Sequence, residues 1–436
     1  MRSDAGEKPN IVFILADDLG SYDVSWRGSE IKTPHLDKLA KAGARLENFY
    51  VQPVCSPTRA ALMTGRYPMR YGLQVGVVRP FAPYGLPLEE RMLPQALREV
   101  GYTTVICGKW HLGNFDRKYW PNPRGFDHWY GHLLGALDYF THVRDNKLDW
   151  WRDGEPNHDA GYSTHLVGNE AARFIRDQPA DKPLFLYVPF NAVHSPMQVP
   201  EEYMEPYPNL KGMRRTYAGM VAAMDEMVGK IVAAIDETGR RKDTLFIFAS
   251  DNGGPAPGRI TSNGPLRAGK GTLYEGGVRT CAFATWDKHI PAGSSVNALA
   301  HIADWYPTLL KLTGATLRQD LPLDGKDIWP CLTEGKPSPR QELLINMTPT
   351  SGAIRIGDWK LVLNGEKRAV DEGDSGKAKA DQTAAADDMR SELFNLADDP
   401  SEKKNLAGEN PEKLKELRAR YDVLARQAAP PKNRGD

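Results

Sequence analysis

The sequence has few cysteines, no excess of charge of either sign and no long apolar run. Its 436 residues include four cysteines, and 56 basic side chains balance 56 acidic ones. This balance gives no sign of a surface for nucleic acid or an acidic membrane. Since no run of about 18 apolar residues occurs, we expect no transmembrane helix. The length suits one large α/β domain and a smaller second one.

The cysteines do not suggest a disulfide framework. Cys107 and Cys281 lie in apolar, strand-like runs, so we expect small buried side chains there. Cys55 is different, because it lies in the most specific pattern of the chain. If Cys55 is modified, three cysteines remain, and at least one cannot pair within the chain.

The stretch 54–66 predicts a helix with an anion site at its start. Ser56 is a suitable N-cap and Pro57 a suitable first helical residue. Cys55 should then lie just ahead of the helix N-terminus, where free N–H groups favour an anion, with Arg59 as a fixed cation nearby. This set indicates chemistry on a tetrahedral oxyanion. A buried structural cysteine before an ordinary helix is the alternative.

Four buried strand-like runs each end in polar or charged residues. The runs are Asn10–Leu15, Thr103–Cys107, Pro183–Val188 and Thr244–Ser250. The residues that follow them are, in order, Asp17 and Asp18, Lys109 and His111, His194, and Asp251 and Asn252. Because parallel strands bring their carboxyl ends to one edge of a sheet, the recurrence predicts a shared site. If the second strand continues past its apolar run, alternation places Lys109 and His111 on one side.

The acidic members of this set favour a metal ion. Asp17 and Asp18 repel each other unless a cation lies between them. Together with Asp251 and Asn252 they offer only oxygen ligands, which suit Ca²⁺ or Mg²⁺ rather than zinc. Each short motif taken alone also fits a solvated turn or a surface loop.

These motifs together resemble the type I sulfatase family, in which a cysteine is oxidised to formylglycine. The likeness is carried by the segments Val54–Arg66, Gly108–Gly113, His194–Pro200, Asp251–Gly254 and Pro265–Arg279. It covers Pro9 to about Arg340 and looks greatest to the arylsulfatase B branch, the N-acetylgalactosamine-4-sulfatases. The implied fold is α/β and alkaline-phosphatase-like, with a large mixed sheet flanked by helices.

The resemblance also implies a mechanism. Formylglycine at position 55 is hydrated to a geminal diol, and one of its hydroxyls attacks sulfur. The second hydroxyl then loses its proton, which releases sulfate and reforms the aldehyde. The resemblance implies a Ca²⁺ ion rather than Mg²⁺. The implied ligands of this ion are Asp17, Asp18, residue 55, Asp251 and Asn252.

The same resemblance implies a role for each remaining residue. Arg59 holds the diol, and Lys109 bridges the nucleophile and a sulfate oxygen. His111 accepts the proton whose loss releases sulfate. His194 and Lys270 contact sulfate, and His194 can protonate the leaving oxygen. Further candidates for substrate contact are Arg79 and Arg267.

A composition shift at 332–342 predicts a domain boundary, giving a catalytic domain at 1–335 and a smaller α+β domain at 336–436. In the second we expect a hairpin turning at Gly357-Asp358, an exposed loop over Glu366–Asp388 and a helix packed on an antiparallel sheet. The predicted helices are Thr33–Ala42, Leu86–Val100, Ser163–Gln178, Tyr217–Glu237, His301–Leu312 and Pro411–Ala428.

The segment 120–156 is rich in aromatic residues. Such residues form carbohydrate-binding rims, although simple packing explains most of them equally well. The expected substrate is a sulfated saccharide, galactosamine-4-sulfate-like or an algal galactan, or an aryl sulfate. The family also implies a formylglycine-generating maturation enzyme as partner.

The first residues, Met1–Lys8, are polar and carry no secretory leader. Because sulfatases of this kind are usually exported, we expect a trimmed leader and a periplasmic or secreted location, with a cytoplasmic one as the alternative.

Three other functions stay open. A phosphodiesterase or phosphonate monoester hydrolase of the same superfamily shares much of the chemistry. A cysteine phosphatase would use the Cys55 thiolate, but the spacing to Arg59 is short for its phosphate loop. A carbohydrate-binding relative without activity is disfavoured by the intact set of Cys55, Arg59, Lys109 and His194.

Overall fold

The computed structural model describes residues 8–317, 319–348, 351–365 and 390–432. The strands in this part are β1 (Asn10–Ala16), β2 (Ala44–Leu46), β3 (Phe49–Tyr50), β4 (Thr103–Lys109), β5 (His128–His132), β6 (Val143–Arg144), β7 (Lys147–Leu148), β8 (Trp151–Arg152), β9 (Glu155–Pro156), β10 (Leu184–Pro189), β11 (Thr244–Ser250), β12 (Ala282–Thr285), β13 (Ser294–Val296), β14 (Ala300–His301), β15 (Glu342–Thr348), β16 (Ser351–Ile356), β17 (Trp359–Leu363) and β18 (Ser391–Asn395). The helices are α1 (Pro34–Lys41), α2 (Cys55–Thr64), α3 (Leu93–Arg98), α4 (Ser163–Asp177), α5 (Gly212–Glu237), α6 (Glu275–Val278), α7 (Trp305–Thr313), α8 (Trp329–Thr333) and α9 (Pro411–Ala425).

A mixed ten-stranded sheet organises most of the chain, in the order β13-β2-β12-β11-β1-β10-β4-β5-β8-β9. The central strands β11, β1, β10, β4 and β5 run parallel, and β12 and β8 flank them in the antiparallel direction. Every residue of β1 is buried, which is why its sequence is apolar throughout instead of alternating. The carboxyl ends of these parallel strands therefore lie at one edge.

Helices cover both faces of this sheet. One apolar core includes side chains of α2, α3 and α7, and the other includes side chains of α1, α4 and α5. Alternate residues of β1 divide between the two cores, as the period of a strand requires: Phe13 lies in the first and Ile14 in the second. The result is a three-layered α/β/α arrangement.

A second, antiparallel sheet of four strands has the order β15-β16-β17-β18 and packs against α9. Its apolar core also contains Val54 and Cys55 at the start of α2, and Leu273 and Tyr274 ahead of α6. The predicted fold class is confirmed, as is the hairpin turning at Gly357. The boundary between residues 335 and 336 stays a prediction, and the predicted loop Glu366–Asp388 lies outside the described residues.

The long helix predicted over Leu86–Val100 is wrong, because only α3 forms there. Pro94 has no N–H, and its ring would clash with the carbonyl four residues earlier, so helix cannot extend far ahead of it. The side chain of Gln95 instead accepts a hydrogen bond from the Met92 N–H at the helix start.

Two predicted helix starts were also displaced. Helix α5 begins five residues before the predicted Tyr217, and α7 follows a short 3₁₀ turn at Ile302–Asp304.

All four cysteines are buried and unpaired. In the part of the chain that the structure describes, no helix combines the length and apolarity that crossing a membrane requires.

Candidate active site

The loops after β1, β10 and β11 are tied together by backbone hydrogen bonds. Asp17 donates its N–H to Ala192 O (2.9 Å) and accepts at its own carbonyl from the Val193 N–H (2.7 Å). Asp251 donates its N–H to Ala16 O (3.0 Å). The strand ends thus meet as the parallel sheet predicted, and the side chains of Asp17, Asp18 and Asp251 are all buried there.

Helix α2 places Cys55 at this edge, as its first residue and two positions further into the helix than predicted. The N-cap is Val54, whose side chain makes no cap hydrogen bond, so the prediction of Ser56 as N-cap is wrong. The Ser56 hydroxyl is needed elsewhere: it donates to His111 O (2.9 Å) and accepts from the Val78 N–H (3.0 Å). Ser56 thereby joins the start of α2 to the segment after β4.

Arg59 is fully buried and lies between two carboxylates. Its Nη2 is 2.9 Å from Asp17 Oδ2 and 2.8 Å from Asp251 Oδ2, and its Nη1 donates to Lys109 O (3.1 Å). Burial opposes the charge on Arg59, but Asp251 and its neighbours more than offset this and raise the pKa above the ordinary value. The guanidinium is therefore a permanent cation in a fixed orientation.

Two lysines enter the cluster from opposite sides. Lys109 Nζ, at the end of β4, is 2.5 Å from Asp17 Oδ2. Lys270 Nζ, from the glycine-rich loop, is 2.8 Å from Asp18 Oδ1. Burial would raise the pKa of Asp17, but Lys109 and then His194 lower it below its ordinary value. Asp17 is thus an anion at neutral pH.

His194 presents one ring nitrogen to the cluster. Its Nδ1 lies 2.7 Å from the carbonyl oxygen of Ser195, which can only accept, so Nδ1 carries a proton. Its Nε2 is 3.6 Å from Asp18 Oδ2. Nε2 is therefore the nitrogen that faces the reacting groups.

His111 is buried but does not continue strand β4. The strand ends at Lys109, and His111 has a left-handed backbone conformation, with φ of 59°. The expectation that strand alternation places Lys109 and His111 on one side therefore does not apply. The position of His111 is set by two backbone contacts: its N–H donates to Leu133 O (3.0 Å) and its carbonyl accepts from Ser56.

The Cys55 thiol lies inside this charged cluster, with Sγ 3.8 Å from Asp17 Oδ1. Burial, and then the charge of Asp17, raise the pKa of Cys55 well above its ordinary value. A cysteine phosphatase needs a thiolate, which a lowered pKa would favour. The surroundings of Cys55 favour the opposite, which counts against that alternative.

The cluster could hold a cation. One candidate ligand atom from each of Asp17, Asp18, Cys55 and His194 lies within 4.8 Å of the others. Asn252 donates from Nδ2 to Asp18 Oδ1 (2.7 Å), while its buried Oδ1 has no hydrogen-bond partner among the described residues. Burial, and then Asp17, raise the pKa of Asp251 to about 6, so a neighbouring cation would relieve its charge.

Among the described residues, neither candidate substrate arginine is hydrogen-bonded or ion-paired to this cluster. Arg79 is exposed in the segment after Val78. Arg267 lies over the Tyr274 ring, with its guanidinium carbon 3.7 Å from the ring centroid, and donates to Glu402 O (3.1 Å). These contacts join Arg267 to the small-sheet region.

Sequence reasoning missed two residues beside the site. His132 ends β5 in register with Lys109 and is completely buried, and neither of its ring nitrogens has a hydrogen-bond partner among the described residues. The Tyr139 hydroxyl contacts the carbonyl oxygens of Asn191 and His194 at 2.8 and 2.7 Å. Both residues belong to the aromatic segment 120–156, most of whose rings are buried by packing. The polar residue at the end of the run Tyr130-Gly131-His132 is the sequence signal that could have indicated His132.

Comparison with known proteins shows the family of this chain. The Sulfatase family profile matches residues 9–315. Arylsulfatase J of Mus musculus is 37% identical over 459 residues, covering 97% of this chain and 77% of that protein. N-acetylgalactosamine-6-sulfatase of Mus musculus is 34% identical over 381 residues, covering 82% of this chain and 72% of that protein.

A solved structure is similar over nearly the whole chain. The crystal structure of Ps i-CgsB in complex with k-i-k-neocarrahexaose has a TM-score of 0.86 at 34% identity, covering 98% of this chain and 94% of that one. The likeness to arylsulfatase B in particular stays a prediction. The chain belongs to the sulfatase family, the hydrolases of sulfate esters.

Proposed function

We propose that this protein hydrolyses sulfate monoesters on a sulfated saccharide, with a formylglycine formed from Cys55 and a Ca²⁺ ion beside it. The observation that carries the proposal is the convergence of three carboxylates, three permanent cations and Cys55 in one buried cluster. Asp17, Asp18 and Asp251 face Arg59, Lys109 and Lys270 there. Such a balanced cluster becomes positive when a divalent ion enters, which suits an anionic ester.

The ligands proposed for Ca²⁺ are Asp17, Asp18, Asp251, Asn252 and the modified residue 55. The buried Asn252 Oδ1 without a partner supports this set. Conversion of Cys55 removes the sulfur and leaves oxygens, which a hard cation prefers. When bound, the ion would lower the pKa of a coordinated hydroxyl and polarise a sulfate oxygen.

Arg59, Lys109 and Lys270 stabilise the negative charge that develops on the sulfate. Burial tends to lower the pKa of Lys109, but Asp17 more than offsets this, so Lys109 stays charged. Because these cations are already oriented by carboxylates and by the Lys109 carbonyl, little reorganisation is needed during the reaction.

Two histidines move protons in this proposal. His194 Nε2 donates a proton to the leaving oxygen, since Nδ1 is already committed to the Ser195 carbonyl. His111 accepts the proton whose loss releases sulfate from residue 55.

The names of the relatives favour a sulfated saccharide with galactose configuration, either an N-acetylgalactosamine sulfate or a galactan. The 4-sulfate predicted from sequence and the 6-sulfate of one relative are the two positions to compare. Hydrolysis of both isomers, followed by NMR, distinguishes them.

The deciding experiment replaces Cys55 by alanine. We expect turnover of an aryl sulfate to fall by several orders of magnitude, with the melting temperature nearly unchanged. Cys107→Ala, a change at another buried cysteine, is the matched control and should retain turnover. Activity retained in Cys55→Ala, or a faster rate on an aryl phosphate diester than on the sulfate, contradicts the proposal.

The modification itself can be measured separately. Coexpression with a formylglycine-generating enzyme should give a peptide containing residue 55 whose mass matches the aldehyde, and aryl sulfate turnover should rise with the converted fraction.

We also propose a periplasmic or secreted location, which fractionation of the native source checks.

A further inference from the structure

Two surface segments extend from the immediate neighbours of the site residues. The first, residues 78–86, is anchored at both ends. The Val78 N–H donates to Ser56 Oγ (3.0 Å), and the Leu86 N–H donates to Leu112 O (2.8 Å). Ser56 follows Cys55 and Leu112 follows His111, so both ends of this segment are bonded to chain neighbours of proposed catalytic residues.

The second segment, residues 138–149, is anchored on the other side. The Tyr139 hydroxyl donates to the backbone carbonyl of His194 or Asn191. At the other end, Asp149 Oδ1 accepts from the Leu133 N–H (3.0 Å), and Leu133 O in turn accepts from His111. Between these anchors the chain forms the small hairpin of β6 and β7.

The tips of the two segments meet. Lys147 Nζ, from the hairpin, lies 4.8 Å from the centroid of the Phe81 ring. Phe81 has a left-handed backbone conformation, with φ of 62°, which a bulky residue rarely adopts, and its side chain is 53% exposed. An aromatic ring held in the open in this way has a face available for a ligand.

The charges at this rim are not neutralised internally. Arg79 and Lys147 are both exposed, and neither has a carboxylate within ion-pair distance among the described residues. The neighbouring Arg144, in contrast, lies 3.5 Å from Asp145. The rim therefore offers two cations without a carboxylate partner, Lys147 against the exposed Phe81 ring and Arg79 two residues before it in the chain.

We infer that Phe81, Lys147 and Arg79 form a second saccharide subsite, which binds an anionic sugar next to the one that carries the hydrolysed sulfate. The ring packs against the apolar C–H face of that sugar, and the two cations bind its sulfate or carboxylate. This inference rests on the proposed function, because it assigns the site a polymeric substrate. It makes the enzyme prefer oligosaccharides over isolated monosaccharide sulfates.

Binding measurements test the subsite independently of turnover. Calorimetry in the Cys55→Ser chain, which prevents hydrolysis, compares a chondroitin 6-sulfate hexasaccharide, unsulfated chondroitin hexasaccharide, maltohexaose and N-acetylgalactosamine 6-sulfate. We expect Phe81→Ala and Lys147→Ala each to raise the Kd of the sulfated hexasaccharide about tenfold. Lys311→Ala, an exposed lysine on α7, is the control and should leave that Kd unchanged.

Comparing the sulfated and unsulfated hexasaccharides shows which anionic group of the sugar the subsite binds. If the unsulfated chondroitin hexasaccharide also binds, and its binding depends on Lys147, the subsite recognises the carboxylate. If the unsulfated hexasaccharide does not bind, the subsite recognises the sulfate. The inference is overturned if the sulfated hexasaccharide does not bind, if maltohexaose binds equally well, or if the variants weaken the monosaccharide sulfate by the same factor. Failure of the proposed function would appear elsewhere, as absent aryl sulfate turnover in the Cys55 chain with converted residue 55.

Discussion

Two of the buried charge clusters among the described residues differ in the groups that they leave without a hydrogen bond. The first is the active-site cluster around Asp17, Asp18 and Asp251. The second, which we call the small-sheet cluster, comprises Tyr50, Glu275, Arg355, Lys360 and Glu402. In it Lys360 Nζ lies 2.8 Å from both Glu275 Oε1 and Glu402 Oε1, and all three side chains are at most 1% exposed.

The small-sheet cluster pairs both of its carboxylates with Lys360, although Glu402 Oε1 has this ion pair alone and no hydrogen-bond partner among the described residues. The other oxygen of Glu275 accepts from the Tyr50 hydroxyl (2.6 Å), which also contacts Arg355. Glu402 Oε2 accepts from the Glu275 N–H (2.7 Å). In the active-site cluster, by contrast, Asn252 Oδ1 has no partner among the described residues and Cys55 Sγ makes only a long contact. The oxygen left over in the small-sheet cluster already faces Lys360, whereas the active-site cluster leaves an amide oxygen and a thiol that a ligand can use.

The small-sheet cluster also bears on the site. Glu275 begins α6, five residues after Lys270, and the chain on both sides of Lys270 is joined to the small-sheet region, because Arg267 and Tyr274 contact Glu392. The small sheet therefore positions the loop that delivers Lys270. It does so without contributing a group to the reaction.

The largest expected effect is on activity, from Lys109→Met. This change removes a cation that stabilises the developing charge, while Asp17 keeps its contact with Arg59. We expect kcat for an aryl sulfate to fall about 10³-fold, with the native near-ultraviolet circular dichroism spectrum retained. A decrease of less than tenfold would remove Lys109 from the proposed chemistry.

The next largest effect is on stability, from Lys360→Met. Two buried carboxylates then lose their shared cation, and we expect the free energy of unfolding to fall by about 3–5 kcal/mol. Denaturant unfolding of Lys360→Met and of Lys109→Met compares the loss of unfolding free energy in the two clusters directly. Equal destabilisation by the two changes would show that the clusters do not differ as we argue. The charge-retaining Lys360→Arg tests whether part of the stability returns.

Ca²⁺ should stabilise the protein through the active-site cluster alone. At 100 times its Kd the ion is expected to add about 2.7 kcal/mol to the free energy of unfolding, measured as a rise in melting temperature over a chelated sample. Asn252→Ala should reduce that rise, while Cys107→Ala keeps it. A rise that is the same in Asn252→Ala would place the ion elsewhere.

The smallest effect concerns a third, less buried group of charges. His128 Nδ1 lies 2.8 Å from Asp153, and its Nε2 lies 2.8 Å from Glu170. Burial would lower the pKa of His128, but the hydrogen bonds to both carboxylates raise it. The resulting stabilisation is complete below the ordinary pKa of about 6.5 and is lost as pH rises through the higher folded-state value.

His128→Asn should therefore cost stability at pH 5.5 and little at pH 9, measured as the difference in melting temperature from the unchanged protein. A difference that grows with pH would reverse the assigned sign.

Much of the fold could be predicted from local sequence. The strands β1, β4, β10 and β11 were recognised because strands buried on both faces are apolar throughout. The polar residues at the ends of these strands stand out in the sequence because they directly follow apolar runs. The amphipathic segment ahead of α3 predicts a longer helix than the one that forms, because Pro94 keeps the helix from extending far ahead of it.

Other features depended on contacts that are distant in sequence. Nothing local indicates that the Ser56 hydroxyl serves His111 and Val78 instead of capping α2. Arg267, a candidate for substrate contact from the resemblance, also donates to Glu392 and Glu402, which are distant in sequence. His132 was overlooked because its register with Lys109 exists only once β5 pairs with β4.

The sequence by itself determined which residue types stand at the ends of the buried strands, and hence the family and the class of reaction. That information is local, since apolar runs, helix signals and a short motif can be read over a few residues. Only the tertiary structure decided which charges are satisfied and which are left to bind. That outcome depends on distances between side chains far apart in the chain, and burial makes the energy of a charge depend on its partners more than on its own identity.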